Sequence, residues 1–140
     1  MNSEGIATPL KASVRCVIAA CTASAGAHAA LVPQHLEHEP RLGAGFIAAT
    51  VVLLAVAFVL IYSPTSPLAA LATTLTLAAL IGAYAVNVSA GIPWLTHAPE
   101  DTDAMGLATK AVEAAGLIFS IQLYNTRGGR CSLIHTEART

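Results

Sequence analysis

Charge is what this sequence has least of. Asp, Glu, Lys and Arg make up 11% of its 140 residues, against roughly 25% in an ordinary soluble domain. A soluble chain stays dissolved behind a charged surface, and this one has too few charges to build one. Its net charge of -1 gives no concentrated basic patch, so the sequence carries no electrostatic footprint for nucleic acid. Aromatics are scarce as well, at 5%, which argues against an aromatic-filled globular core. Three cysteines make no disulfide framework. Cys16 and Cys21 fall in an apolar stretch, Cys131 lies near the C-terminal end, and none belongs to a CxxC pair. Buried or free thiols are the expectation. No HExxH or Met-rich motif is present either.

Apolar residues fill the space that charge leaves, reaching 55% of the chain, largely as alanine, leucine and valine. Mean hydropathy is +0.66. A helix that crosses about 30 Å of hydrocarbon needs about 20 mostly apolar residues. Four segments meet or approach that requirement, at about 14–32, 42–61, 68–88 and 106–123. The expected fold is all-α: a polytopic membrane protein forming a four-transmembrane-helix bundle. An N-terminal segment, 1–13, and a polar tail over 124–140, expected to be disordered, flank the membrane domain at 14–123. The first span follows Lys11 and Arg15 and passes Ala23, Ser24 and Ala25, so it imitates a cleavable signal peptide. Its apolar run continues through His28 to Val32, long enough to span, and it is read as retained.

The connections carry loop chemistry. Ser63-Pro64-Thr65-Ser66-Pro67 places prolines where one helix stops and the next starts. Gly91-Ile92-Pro93-Trp94 breaks the third helix, with Trp94, like Tyr62 and Tyr124, set where interfacial aromatics sit. Lys11 and Arg15 precede the first span, and Arg127, Arg130 and Arg139 follow the fourth. The two other flanks carry only Arg41. The positive-inside bias therefore puts both termini in the cytoplasm of a bacterial inner membrane. Small residues dominate the first, third and fourth helices. Ala72, Thr76, Ala79, Ala83 and Asn87 recur at helical spacing, and this stripe is expected to be a packing face. Such faces serve association within the bundle, with other membrane proteins or with a second copy, and the lipid bilayer is the remaining partner.

Two groups of polar residues stand out against this background. His35, His38 and Glu39 cluster after the first span, at spacings that bring them together on a helix. Imidazole and carboxylate so placed could hold zinc or copper, and could equally be a solvated loop. The second loop adds His97, Glu100, Asp101 and Asp103 on the same side. Inside the membrane, Glu113 is the most informative residue, because a charge near the bilayer centre costs from about 2.5 kcal/mol upwards and must find a partner. Lys110, three residues earlier, can pair with it. His28 on the first span sits at a comparable depth, with Asn87 as a further partner. Proton-coupled transport would use such a set, and so would structural glue.

Ala27-His28-Ala29-Ala30-Leu31-Val32-Pro33-Gln34-His35-Leu36, the Gly91-Ile92-Pro93 break, the acidic stretch from Pro99, Gly106-Leu107-Ala108-Thr109 and the buried Glu113 together resemble a group of small four-helix membrane proteins of high-GC, actinobacterial-type genomes. The resemblance covers about residues 25–120 and implies topology more than activity. That group carries an arginine shortly before its Gly-aliphatic-Pro break, where this chain has Asn87, Val88 and Ser89. The resemblance implies that Lys110 substitutes as the partner of Glu113. No nucleophile constellation or cofactor motif is visible, so a non-enzymatic protein is expected. The first functional reading is an accessory or assembly partner of a larger membrane complex. The alternative is a small transporter or metal-handling protein using His28 and Glu113.

Overall fold

The computed structural model describes the backbone of residues 4–92 and 103–137 and the side chains of 12–92 and 103–126. Among the described residues the chain forms four helices and no strand: α1 Glu4–His38, α2 Pro40–Tyr62, α3 Pro67–Ala90 and α4 Ala104–Glu137. Each contains a stretch long and apolar enough to cross a membrane, at Ala12–His38, Pro40–Tyr62, Pro67–Ala90 and Ala104–Thr126. The chain is a multi-pass membrane protein. Large apolar side chains such as Val51, Phe58, Leu68, Leu75, Leu107 and Ile118 stand exposed around the bundle. In water, contiguous apolar surface of this kind would drive association. In a bilayer it meets acyl chains.

Helix ends follow local chemistry. Ser66 caps α3, its hydroxyl accepting from the Ala69 N–H at 3.2 Å, with Pro67 at the first helical position, where its missing N–H costs nothing. Gly91 ends α3 with φ 69°, a conformation that glycine adopts without a Cβ clash. Asp103 caps α4 by accepting from the Gly106 N–H, so this acidic residue of the second loop serves the helix start. His97, Glu100, Asp101 and Trp94 lie outside the described residues.

Two boundaries differ from the hydropathy reading. α1 begins at Glu4 and runs unbroken through Pro33, and the backbone of α4 stays helical to Glu137, where the sequence reading expects disorder. Hydropathy marks where a helix leaves the apolar slab. Backbone hydrogen bonding decides where it stops.

α1 packs against α2 and α4, while α3 packs against α4 and more sparsely against α2. The helices therefore form a ring, with α1 diagonal to α3. α1 turns into α2 through a single non-helical residue, Glu39. Gly43 makes that corner possible, since a Cβ there would lie 2.8 Å from the Leu36 backbone nitrogen and side chain. Gly116 does the same between α1 and α4: its Cβ would meet the Ala20 Cβ at 2.8 Å.

The stripe on α3 requires correction. Ala72, Ala79 and Ala83 are exposed and Thr76 is half-buried, whereas the buried residues of α3 are Ala69, Ala70, Thr73, Leu77 and Asn87. Both sets have helical spacing, and at about 3.6 residues per turn they differ by roughly a quarter turn. The buried choice hides Leu77 and lets the Thr74 hydroxyl donate to Ser120 Oγ of α4 at 3.0 Å. Of the small-residue stripe, Asn87 alone is buried, while Ala83 lines a cavity between the helices.

The interior is uneven along its length. Val14, Val17, Cys21, Leu53, Leu60, Ala70, Leu77 and Leu123 pack into an apolar core, weighted toward the end where α2 turns into α3. Of the buried polar residues, His28, Asn87, Thr109 and Glu113 lie in the opposite half, while Thr73 and Ser120 sit among the apolar core.

Candidate functional site

Glu113 stands about 13 Å along α4 from Ala104, at about 1.5 Å per residue, near the middle of a slab about 30 Å thick. It is 0% exposed. Burying a carboxylate is expensive unless its oxygens are satisfied, and both are. Oε1 accepts from the Ser24 hydroxyl of α1 at 2.6 Å, and Oε2 accepts from Lys110 Nζ at 2.6 Å. The Lys110 contact is the i,i+3 pair expected from the sequence. The Ser24 contact bridges two helices and is made possible by their close approach at Gly116.

His28 completes the group. Its Nδ1 lies 2.9 Å from the Ser24 carbonyl oxygen. A carbonyl has no proton to give, so Nδ1–H is the donor and this bond selects the tautomer. Nε2 is left facing Glu113 Oε1 at 3.8 Å. The ring packs edge-on against Phe46 of α2, centroids 5.5 Å apart. A neutral His28 thus turns a bare nitrogen toward the carboxylate.

The structure brings His28, Lys110 and Glu113 into one cluster. Asn87 is buried and lines the cavity above it with Lys110 and His28. His35 lines the same cavity and packs at a tilt against Phe46, centroids 4.6 Å apart, so Phe46 lies between two histidines that are two turns apart. His35, His38 and Glu39 do not converge. His35 Nδ1 donates to the Leu31 carbonyl and His38 Nδ1 to that of Gln34, each at 2.9 Å, which turns each ring along its own helix. Among the described residues no group of three or more histidine, cysteine or acidic side chains is placed to hold a metal ion.

Sequence reasoning passed over three contributors. Ser24 precedes His28 by one helical turn, a polar pair inside an apolar run, and that spacing was the available signal. Tyr84 is less legible: its ring lies 5.4 Å from Lys110 Nζ, and its buried hydroxyl has no hydrogen-bond partner among the described residues. Phe46 is indistinguishable in sequence from any lipid-facing aromatic.

The chain matches no protein-family model, no curated protein and no solved structure.

Proposed function

We propose that this is a small proton-linked solute transporter of a bacterial inner membrane, with Glu113 as its proton carrier and both termini in the cytoplasm. The observation that carries the reading is the Ser24–Glu113–Lys110 arrangement with His28 Nε2 at 3.8 Å, set beneath a cavity that all four helices line. A structural ion pair needs neither the histidine nor the open space. A proton carrier needs both: a second base to exchange with, and access for what accompanies the proton. The titratable groups around Glu113 are Lys110 on its own helix and His28 and Cys21 on α1, with Tyr84 of α3 beside Lys110. α2 presents apolar residues to this space.

The test uses proteoliposomes loaded with a pH-sensitive dye and exposed to gradients of small organic acids, amines and alcohols. At least one solute should change the luminal pH faster than in protein-free vesicles, and Glu113→Gln should abolish the difference while circular dichroism stays unchanged. Equal rates for the wild type and Glu113→Gln would overturn the reading.

A specific observation favours a second reading, that of an accessory or assembly partner. Ala72 and Ala79 form an outward-facing small-residue surface on α3, and such surfaces let another membrane helix approach closely. Ala79→Leu should then release a co-purifying protein from native membranes without unfolding the bundle. If no protein accompanies the wild type, this reading fails.

A further inference from the structure

Above the ion pair the four helices do not close on one another. They leave a cavity of about 190 Å³, below the roughly 300–1,000 Å³ of drug-sized ligand pockets. Its walls are apolar, with Leu31, Phe46, Leu80 and Ala83 among them. Its polar end has an order that matters. Lys110 lines the cavity, while Glu113 lies behind it and does not. An occupant therefore meets the ammonium before the carboxylate. Lys110 has three N–H donors, one of which is used by Glu113 Oε2. Tyr84 stands beside it, its ring 5.4 Å from Lys110 Nζ, and its hydroxyl is buried without a hydrogen-bond partner among the described residues, an arrangement that ordinarily costs stability. Asp103 is the acidic residue on the lining. It sits at the start of α4, where its carboxylate caps the Gly106 N–H and is offset by the positive end of the helix dipole.

We infer that this cavity is the binding site for a short-chain monocarboxylate, whose carboxylate is held by Lys110 and the Tyr84 hydroxyl and whose alkyl chain lies against Phe46 and the leucines. A dicarboxylate would bring a second charge against an apolar wall, and an organic cation would face Lys110. The inference rests on the proton-linked reading and gives it a substrate class. When the anion enters, Lys110 turns to it and Glu113 takes up one proton, so one negative and one positive charge are bound together. The carboxylate forms and breaks no covalent bond.

The full chain in detergent micelles is titrated calorimetrically with butyrate, butylammonium and 1-butanol, in buffers of different ionisation enthalpy. Butyrate should bind saturably, and butylammonium and butanol should not. Lys110→Met should weaken butyrate binding at least about tenfold, as loss of a charge-assisted hydrogen bond does. Lys110→Arg should retain binding. Tyr84→Phe, which removes a single oxygen from the cavity and leaves the fold intact, should weaken binding about threefold or more. The inference is overturned if butyrate fails to bind, if butanol or butylammonium binds as well, or if Tyr84→Phe and Lys110→Met both bind like the wild type. Butyrate binding without net proton uptake would uphold the anion site and contradict the proton-linked reading. Proton-linked flux of an amine or alcohol without butyrate binding would do the reverse.

Discussion

Ser24 and Glu113 are 89 residues apart in sequence and 2.6 Å apart in space, the hydroxyl of α1 donating to the carboxylate of α4. This contact fixes where α1 sits against α4, and it does so at the depth where polar groups are most costly. Interhelical hydrogen bonds in membranes average only about 0.6 kcal/mol, but bonds to an ionised acceptor are roughly twice as strong as neutral ones.

Ser24→Ala should therefore destabilise the bundle by about 1–3 kcal/mol, the usual cost of stranding a buried partner. In a Glu113→Gln background the same substitution should cost appreciably less. Unfolding of the four variants in mixed micelles measures the coupling, and strictly additive losses would show that the two side chains do not cooperate.

Lys110 and Glu113 should behave as a unit. Lys110→Met leaves the carboxylate buried without its cation, and breaking a buried pair in this way typically costs about 3–5 kcal/mol. Lys110 is 15% exposed at its side chain, which moves the expectation to the lower end. Adding Glu113→Gln to Lys110→Met should restore most of the loss, because no uncompensated charge remains. Thermal melts of the single and double variants decide it.

The one-residue corner between α1 and α2 makes a sharper steric prediction. Gly43→Ala should cost about 1–3 kcal/mol, as overpacking does, because its Cβ meets the Leu36 backbone at 2.8 Å. Gly82→Ala has nothing within 4 Å of the new Cβ and should be neutral or stabilising by up to about 1 kcal/mol through helix propensity. Equal effects at the two sites would contradict the tight corner.

Orientation is open to labelling. In intact cells a membrane-impermeant maleimide should react with Thr102→Cys and spare Cys131 until the membrane is permeabilised. The reverse pattern would invert the topology proposed from the flanking lysines and arginines.

Much of the fold was legible in the sequence because hydropathy is read residue by residue. The Pro64–Pro67 turn, the Gly91 break and the four apolar segments are local signals, and α2 and α3 follow them closely. Which face of α3 turns inward was not local. Two stripes of similar spacing competed, and the choice depended on Leu77 and on a Thr74–Ser120 contact with a helix 46 residues away. In the cluster, Glu113 and Lys110 announced themselves by charge and His28 by depth. Ser24 and Tyr84 did not, since a serine in an alanine-rich helix and a tyrosine near a helix end are ordinary. Their roles follow from the close approach at Gly116 and from the space that the ring of helices leaves open.

In the proposed function Glu113 exchanges a proton and is not a permanently ionised strut. Infrared difference spectra between acidic and alkaline states, recorded on the full chain in lipid, test it directly. A proton-exchanging Glu113 gives a reversible carboxylic-acid C=O band that is absent from Glu113→Gln and present in Ser24→Ala at a shifted frequency. Identical difference spectra for the wild type and Glu113→Gln would contradict it and leave Glu113 as structural glue.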